Sequence, residues 1–380
     1  MNQPYPRPKQ GCAVHSDTQM VYCQFPNLRL DPTKIIMKAR GGEELESVMG
    51  QEEQDEYPKY QTGAFTIITT DDALDLMKQI SSSSQAHYLS DVMQSITTST
   101  SSLDCSHTID TPTLFITRYE YVDPFHVLTD WWNAFFAMPI SAIEQGIKVN
   151  VVLLDGHAKG LYDTVWNHVF GDVTFVKHLP SSTCFTNQVI FVPPGYSSVL
   201  WPRNRWFQSP KCLAMTNAFV HHFVSKYSLQ DITMQRGKVV IVHHAPFINH
   251  PRAAKKDDNE EEADSFLQTL HGFLSRDVKT SVEIVRLELL TFQEQLEIIR
   301  RTHVLISNHP NGMFPHVLFL QDGSTLLGFS SNGDTEDVVT NVMPWKPKVN
   351  YESISTSTTE TERIQQEAVL KIVNALERKE

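Results

Sequence analysis

Thr113-Leu-Phe-Ile-Thr-Arg-Tyr-Glu-Tyr-Val-Asp-Pro-Phe-His-Val-Leu-Thr-Asp-Trp-Trp-Asn-Ala-Phe135 is the stretch on which the reading of the chain turns. The apolar run Leu114 to Ile116 predicts a buried strand, and Arg118 to Tyr121 follow as a charged and phenolic loop. A strongly apolar helix is expected from near Phe125. His126 and Asp130 are four apart and Asn133 is three further on, so all three share one helical face. Among Val127, Leu128, Trp131, Trp132, Phe135 and Phe136, a carboxylate needs a hydrogen-bond partner or serves chemistry. Asp130 as a structural acceptor with His126 as a core histidine is one reading, and a functional pair is the other.

Outward from this segment, strands and helices alternate from residue 111 onward. Strands are expected at Val149–Leu154, Val173–Val176, Val189–Val192, Val239–Val242, Val282–Leu287, Val304–Ser307 and Thr325–Phe329. Helices are expected near Leu161–Phe170, Cys212–Ser228, Phe266–Leu274, Phe314–Leu320 and Glu360–Arg378. Thr291-Phe-Gln-Glu294 reads as a capping box. Residues 1–60, rich in Pro, Gln and Glu, read as a poorly ordered arm, and Ser81–Ser84 and Thr97–Ser102 as polar loops. The two successive series predict an N-terminal α/β domain over 61–230 and a C-terminal one over 236–350. A terminal helix over 359–380 closes the chain. Two doubly wound domains facing a cleft are the expected architecture.

Length and composition bound the function. The chain has 380 residues, 41% hydrophobic and 20% charged, enough for two domains with substantial cores. A formal net charge of -12 argues against nucleic acid or an anionic membrane as general partner. There is no apolar run long enough for a membrane span and no Asn-x-Ser/Thr sequon, and Met1 to Gln10, polar and proline-rich, lacks the apolar segment of a secretory signal, so either a cytosolic chain or a start downstream of an anchor is expected. The five cysteines show no metal-ligand pair at two-residue spacing and leave the redox compartment open. No Walker A loop, internal repeat or His-Glu-x-x-His is present.

A second informative stretch is Val304-Leu-Ile-Ser-Asn-His-Pro-Asn-Gly-Met-Phe-Pro-His316. It reads as strand, tight loop and helix start. Gly312 permits close backbone approach, and free amides at such a turn suit a phosphate. Asn308, His309, Asn311 and His316 complete this candidate anion site, for which a plain left-handed turn is the alternative. His243, His244, His250 and Arg252 follow the strand ending at Val242, where loops often carry function. Metal binding by these histidines lacks a carboxylate or cysteine partner.

Together these segments resemble glycosyltransferase family 61, above all its plant-type core xylosyltransferase branch. The carrying residues are Thr111-Pro-Thr113, Arg118-Tyr-Glu-Tyr121, His126-x-x-x-Asp130-Trp131, Asp155-Gly-His157-x-Lys159, Thr164-x-Trp166, Cys184-Phe185 and Pro194-Gly-Tyr196. Phe292-x-Glu294-Gln295 before Asn308-His309 and His316 matches the C-terminal signature more loosely. The resemblance implies a GT-B fold, a UDP-sugar donor, a glycan or glycoprotein acceptor, inversion at the anomeric carbon and residence in the Golgi or ER lumen. It implies Asp130 as the general base, with Arg118, Glu120, His126, Asp155 and His157 on the acceptor side. His243, His244, Arg252, Asn308, His309, Asn311, Gly312 and His316 fall on the donor side, and no metal cofactor is required. Two departures stand out. The family's His-Gly-Ala-Gly loop is His309-Pro-Asn-Gly312 here, with one residue more before His316. An arginine usual after the strand ending at Val242 is replaced by His243 and His244, and a neutral histidine is a poor substitute for a guanidinium fork on a diphosphate. A catalytically weakened glycan-binding protein on the same fold is therefore the alternative, and a two-carboxylate hydrolase using Asp130 and Glu120 a third.

Overall fold

The structure is a computed structural model that describes residues 10–14, 20–69, 86–139, 146–195, 210–243, 260–277, 280–307, 314–330, 346–355 and 361–378. The chain divides into two units, the described residues up to 195 forming one and those from 210 onward the other.

The first unit holds two main sheets. One has the order β1-β2-β13-β9-β10-β11, with β1 Gly11–Val14, β2 Val21–Phe25, β9 Thr113–Ile116, β10 Asn150–Leu153, β11 Val173–Phe175 and β13 Val189–Val192. Strands β13, β9, β10 and β11 run parallel, while β2 joins β13 antiparallel and carries β1 outside it. The second sheet has the order β7-β6-β3-β12-β8, with β3 Leu28–Leu30, β6 Phe65–Ile68, β7 Ile96–Ser99, β8 His107–Ile109 and β12 Thr183–Phe185. The strands β4 Ile35–Ile36 and β5 Lys59–Tyr60 form a small ribbon.

Period-two alternation explains how the first sheet uses both faces. Phe115, Val152, Val189 and Phe191 share one core with Leu28, Leu30, Phe65, Ile67 and Phe185 of the second sheet. Edge-on aromatic contacts, such as Phe115 with Phe185 at 4.9 Å and Phe65 with Phe191 at 5.1 Å, fix that interface. The opposite face meets a helix, α2 (Pro124–Ala137), which contacts β9 and β13. A second sheet thus covers a face where doubly wound domains have helices.

This arrangement corrects the expectation for residues 1–60. Val21, Cys23, Phe25, Leu28, Leu30 and Ile35 are fully buried. β2 sits between β1 and β13, and β3 lies at the middle of its sheet. Strands this short, set among polar residues, leave little periodic signal. Ile96–Ser99 likewise forms an edge strand where the sequence suggested a loop. Two disulfides close the unit: Cys12–Cys23 across β1 and β2, and Cys105–Cys184 tying the approach to β8 onto β12.

The second unit is simpler. Five parallel strands have the order β15-β14-β16-β17-β18, with β14 Val239–Val242, β15 Val282–Val285, β16 Val304–Ser307, β17 Thr325–Ser330 and β18 Asn350–Ser355. Crossovers run through α4 (Glu260–Asp277), α5 (Phe292–Arg301) and α6 (Phe314–Val317), and α7 (Thr361–Glu377) ends the fold. Thr291 and Glu294 form the expected capping box on α5. Ile364, Ala368, Ile372 and Ala375 of α7 form a buried stripe in this unit's core, so the terminal helix is not separate from it. α3 (Pro210–Lys226) also belongs here, because Phe219 and Phe223 stack toward Phe319 and Phe292. The division between units therefore falls before residue 210 rather than near 230.

Candidate active site

Asp130 is held by the geometry of α2. Asp123 caps the helix by accepting the His126 amide, with Pro124 at the first helical position. Almost every position beyond the first turn is buried, and Trp131 and Trp132 lock the rotation. Asp130 is 2% exposed. Its Oδ2 accepts the Tyr119 amide at 2.9 Å and its Oδ1 the Gly195 amide at 2.7 Å. One turn on, Asn133 Nδ2 donates to the Gly195 carbonyl at 3.1 Å. The shared helical face read from the spacing thus grips Gly195 by both its backbone groups.

The topology gives this position its meaning. From β9 the chain crosses through α2 to β10 and on to β11, and β13 returns on the other flank of β9. The order of winding reverses between β9 and β13. In open α/β sheets, ligands bind beyond the carboxyl ends of the strands at such a reversal. Tyr119 lies three residues past β9 and Gly195 three past β13, so the Asp130 carboxylate bridges that point.

Beside it lies a buried charge cluster. Arg118 donates through Nη2 to Asp155 Oδ1 at 2.7 Å, through Nε to the same oxygen at 3.1 Å, and through Nη1 to Asp163 Oδ1 at 2.7 Å. The Arg118 amide donates to Asp155 Oδ2 at 2.8 Å. With Arg118 1% exposed and Asp155 fully buried, these side chains hold the loops after β9 and β10 together. His157 sits 2.8 Å from Glu56 Oε2 through Nδ1, and its ring stacks on Tyr121 at 4.8 Å. Gly156 is required where it is, since a Cβ there would come within 2.7 Å of the Ala39 side chain.

Half-buried groups flank the cluster. Glu120 Oε1 accepts the amides of Tyr121 and Val122, and the Tyr119 and His126 rings lie 4.6 Å apart. Burial pushes the Asp130 carboxyl up to about 8, although the Gly195 and Tyr119 amides pull the other way. Burial also opposes ionisation of Asp155, but Arg118 outweighs it and holds that carboxyl below its ordinary range. Burial acts against the His157 cation too, yet Asp155 and Glu56 raise it above its usual value. For His126 burial wins and lowers it, against Asp123 and Glu120. Glu56 and Asp163, missed in the sequence, carry no motif of their own. They reach the site only through tertiary contact.

In the second unit the winding reverses between β14 and β16. His243 directly follows β14, is buried, and donates its amide to the Val285 carbonyl at 3.0 Å. His316, on α6 after β16, is buried, and its Nε2 lies 2.9 Å from Gln295 Oε1. Gln295 Nε2 is committed to the carbonyls of Leu287 and Leu290, which fixes Oε1 as the acceptor and the proton on His316 Nε2. His244, Arg252, Asn308, His309, Asn311 and Gly312 lie outside the described residues. Among the described residues, no group of three His, Cys, Asp or Glu side chains is arranged for a metal ion.

No family model matches the chain. A β-1,2-xylosyltransferase of Oryza sativa subsp. japonica is 27% identical over 343 residues, covering 79% of this chain and 61% of that protein. A β-1,2-xylosyltransferase of Arabidopsis thaliana is 24% identical over 384 residues, covering 83% of this chain and 70% of that protein. The chain thus spans about three fifths of the rice protein's length. Among solved structures, a flavo di-iron protein mutant from Thermotoga maritima superposes with a TM-score of 0.27 at 12% identity, over 98% of this chain and all of its own, too low to bear on the fold. Over about four fifths of its length, the chain is thus similar to two plant β-1,2-xylosyltransferases.

Proposed function

We propose that this chain is an inverting glycosyltransferase that moves xylose, or GlcNAc, from a UDP-sugar to a glycan or glycoprotein acceptor. In this reading the two α/β units form a GT-B pair, the first taking the acceptor and the second the donor. The observation that carries it is the Asp130 carboxylate bridging the carboxyl ends of β9 and β13. Inversion needs one base that removes the acceptor hydroxyl's proton as its oxygen attacks the anomeric carbon and UDP departs. A carboxyl raised to about 8 is a far stronger base than a solvated aspartate. The stretch Asn308 to Gly312, expected from its sequence to supply turn amides, would meet the negative charge of the leaving UDP. Cys12–Cys23 and Cys105–Cys184 support residence in an oxidising compartment such as the Golgi or ER lumen. No helix among the described residues is long and apolar enough to cross a membrane.

The second reading, a glycan-binding protein without transfer, is favoured by the 2% exposure of Asp130. One assay separates the two. The chain is incubated with UDP-xylose or UDP-GlcNAc and a mannose-containing N-glycan, and donor binding is followed by thermal shift. Transfer with a donor-dependent shift supports the enzyme. Glycan binding without a UDP-sugar shift supports the alternative.

A further inference from the structure

Asp130 is held by peptide groups, and one of them has a second partner. The amide that donates to Asp130 Oδ2 belongs to the peptide joining Arg118 to Tyr119. The carbonyl of that same peptide, Arg118 O, lies 3.4 Å from His157 Nε2. The other ring nitrogen, Nδ1, lies 2.8 Å from Glu56 Oε2. A carbonyl and a carboxylate oxygen both accept, so an imidazole that donates to both carries a proton on each nitrogen, as an imidazolium. Its ring is stacked on Tyr121 and meets the Tyr57 ring edge-on at 5.5 Å, which fixes its plane.

We propose that Glu56 and His157 are a positioning pair for the base: the imidazolium draws on the carbonyl of the 118–119 peptide, and the amide of that peptide favours the carboxylate form of Asp130 against the effect of burial. Hydrogen bonds in such a chain polarise one another, most strongly away from water. The inference rests on the reading of Asp130 as base. It assigns a role to a residue from the segment that sequence reading set aside as an arm. Other charged or titratable groups among the described residues lie close to this hydrogen-bonded path. Arg118 and Asp155 act on Asp130 through space, and His126 stands one turn before it. Asp155, Arg118 and Asp163 lie around His157, with Asp155 Oδ1 accepting the His157 amide at 3.2 Å. Changing His157 alters one positive charge among these and leaves the Arg118–Asp155 pair in place.

The test is an NMR titration of the full chain carrying ¹³C-carboxyl aspartate, with the Asp130 signal assigned by its loss in Asp130→Asn. His157→Gln keeps a donor near Arg118 O and removes the charge. It should raise the Asp130 titration midpoint by about half a pH unit or more, and shift the acid limb of the kcat profile with it while donor KM stays put. Glu56→Gln should move the midpoint the same way by less, because the ring then loses its proton at lower pH. Ring ¹⁵N shifts in the unaltered protein should report an imidazolium at neutral pH, a result that stands even if His157→Gln fails to fold. An Asp130 midpoint unchanged in both variants, with native amide spectra, overturns the proposal, and so does a neutral ring at about pH 6. Transfer surviving in Asp130→Asn overturns the base reading itself, a failure recognisable because the NMR coupling would remain intact.

Discussion

Both oxygens of Asp130 face backbone N–H donors, and this sets what a substitution there does. Asn offers one acceptor, so its NH₂ must point at the amide of Tyr119 or Gly195. Asp130→Asn should therefore cost about 1–3 kcal/mol of stability for the unmet donor. It should lower transfer by roughly 10²–10⁴-fold at saturating donor. Urea denaturation and initial rates measure the two, and full activity in a folded variant would remove Asp130 from the mechanism. Arg118 and Asp155 predict a different outcome. Each buried partner is left with an uncompensated charge when the other goes, so Arg118→Ala and Asp155→Ala should each lose about 3–5 kcal/mol. Chemical denaturation checks this, and a loss under 1 kcal/mol, on the order of an exposed pair, would mean that water reaches the cluster.

At the level of elements, the β13–Gly195 junction carries the site. Gly195 has φ of +30°, and a Cβ there would lie 3.2 Å from the Tyr119 Cβ and 3.4 Å from the Thr129 hydroxyl. Gly195→Ala should push the loop off α2, lowering kcat more than Asn133→Ala does, a comparison that steady-state kinetics can make. The Cys105–Cys184 disulfide joins residues 79 apart, so opening it should cost roughly 4 kcal/mol in the chain-entropy account. Differential scanning calorimetry with and without reductant reads that loss. The core strands β9, β10, β13, β14 and β16 were legible in the sequence because fully buried parallel strands are continuous apolar runs. The α2 helix and its polar face were legible because 3.6-residue spacing puts Asp130 and Asn133 on one side. β2, β3 and β7 were not, since a short strand paired with residues far along the chain shows itself only through its partners. Glu56 was hidden for the same reason. Its neighbours Glu52 to Asp55 look like any solvated acidic run, and only the fold turns its side chain toward His157.

For the molecule as a whole, the buried ionisable groups of the first unit set a pH dependence whose sign can be worked out. Asp130 has a folded value of about 8 against an ordinary 3.8, so its contribution is complete below 3.8 and is lost as pH rises toward 8. Asp163, raised mainly by burial, runs in the same direction. His157 is raised as well, so what it adds is complete below 6.5 and lost as pH climbs through its folded value. Asp155 has the opposite sign, contributing above 3.8 and failing only as pH falls through its lowered value. From about pH 5 upward Asp155 is constant, and His126, lowered by burial, gains only up to its ordinary 6.5; the raised groups decline, so urea midpoints should fall between about pH 6.5 and pH 8.5. Asp130→Asn should flatten the slope, and a midpoint that rises over this range would contradict the assignment.

The placement of β2 and β3 also bears on how the protein is made. β2 pairs with β13, and β3 with β12, strands that leave the ribosome only after residue 183 has been added. At about 5–20 residues per second, β2 and β3 wait on the order of ten seconds for these partners, with unpaired edges and apolar side chains in water. Such a chain invites chaperone binding during that interval. A variant lacking β2 and β3 would lose an interior strand from each sheet, leaving its ribosomal product nothing to close around.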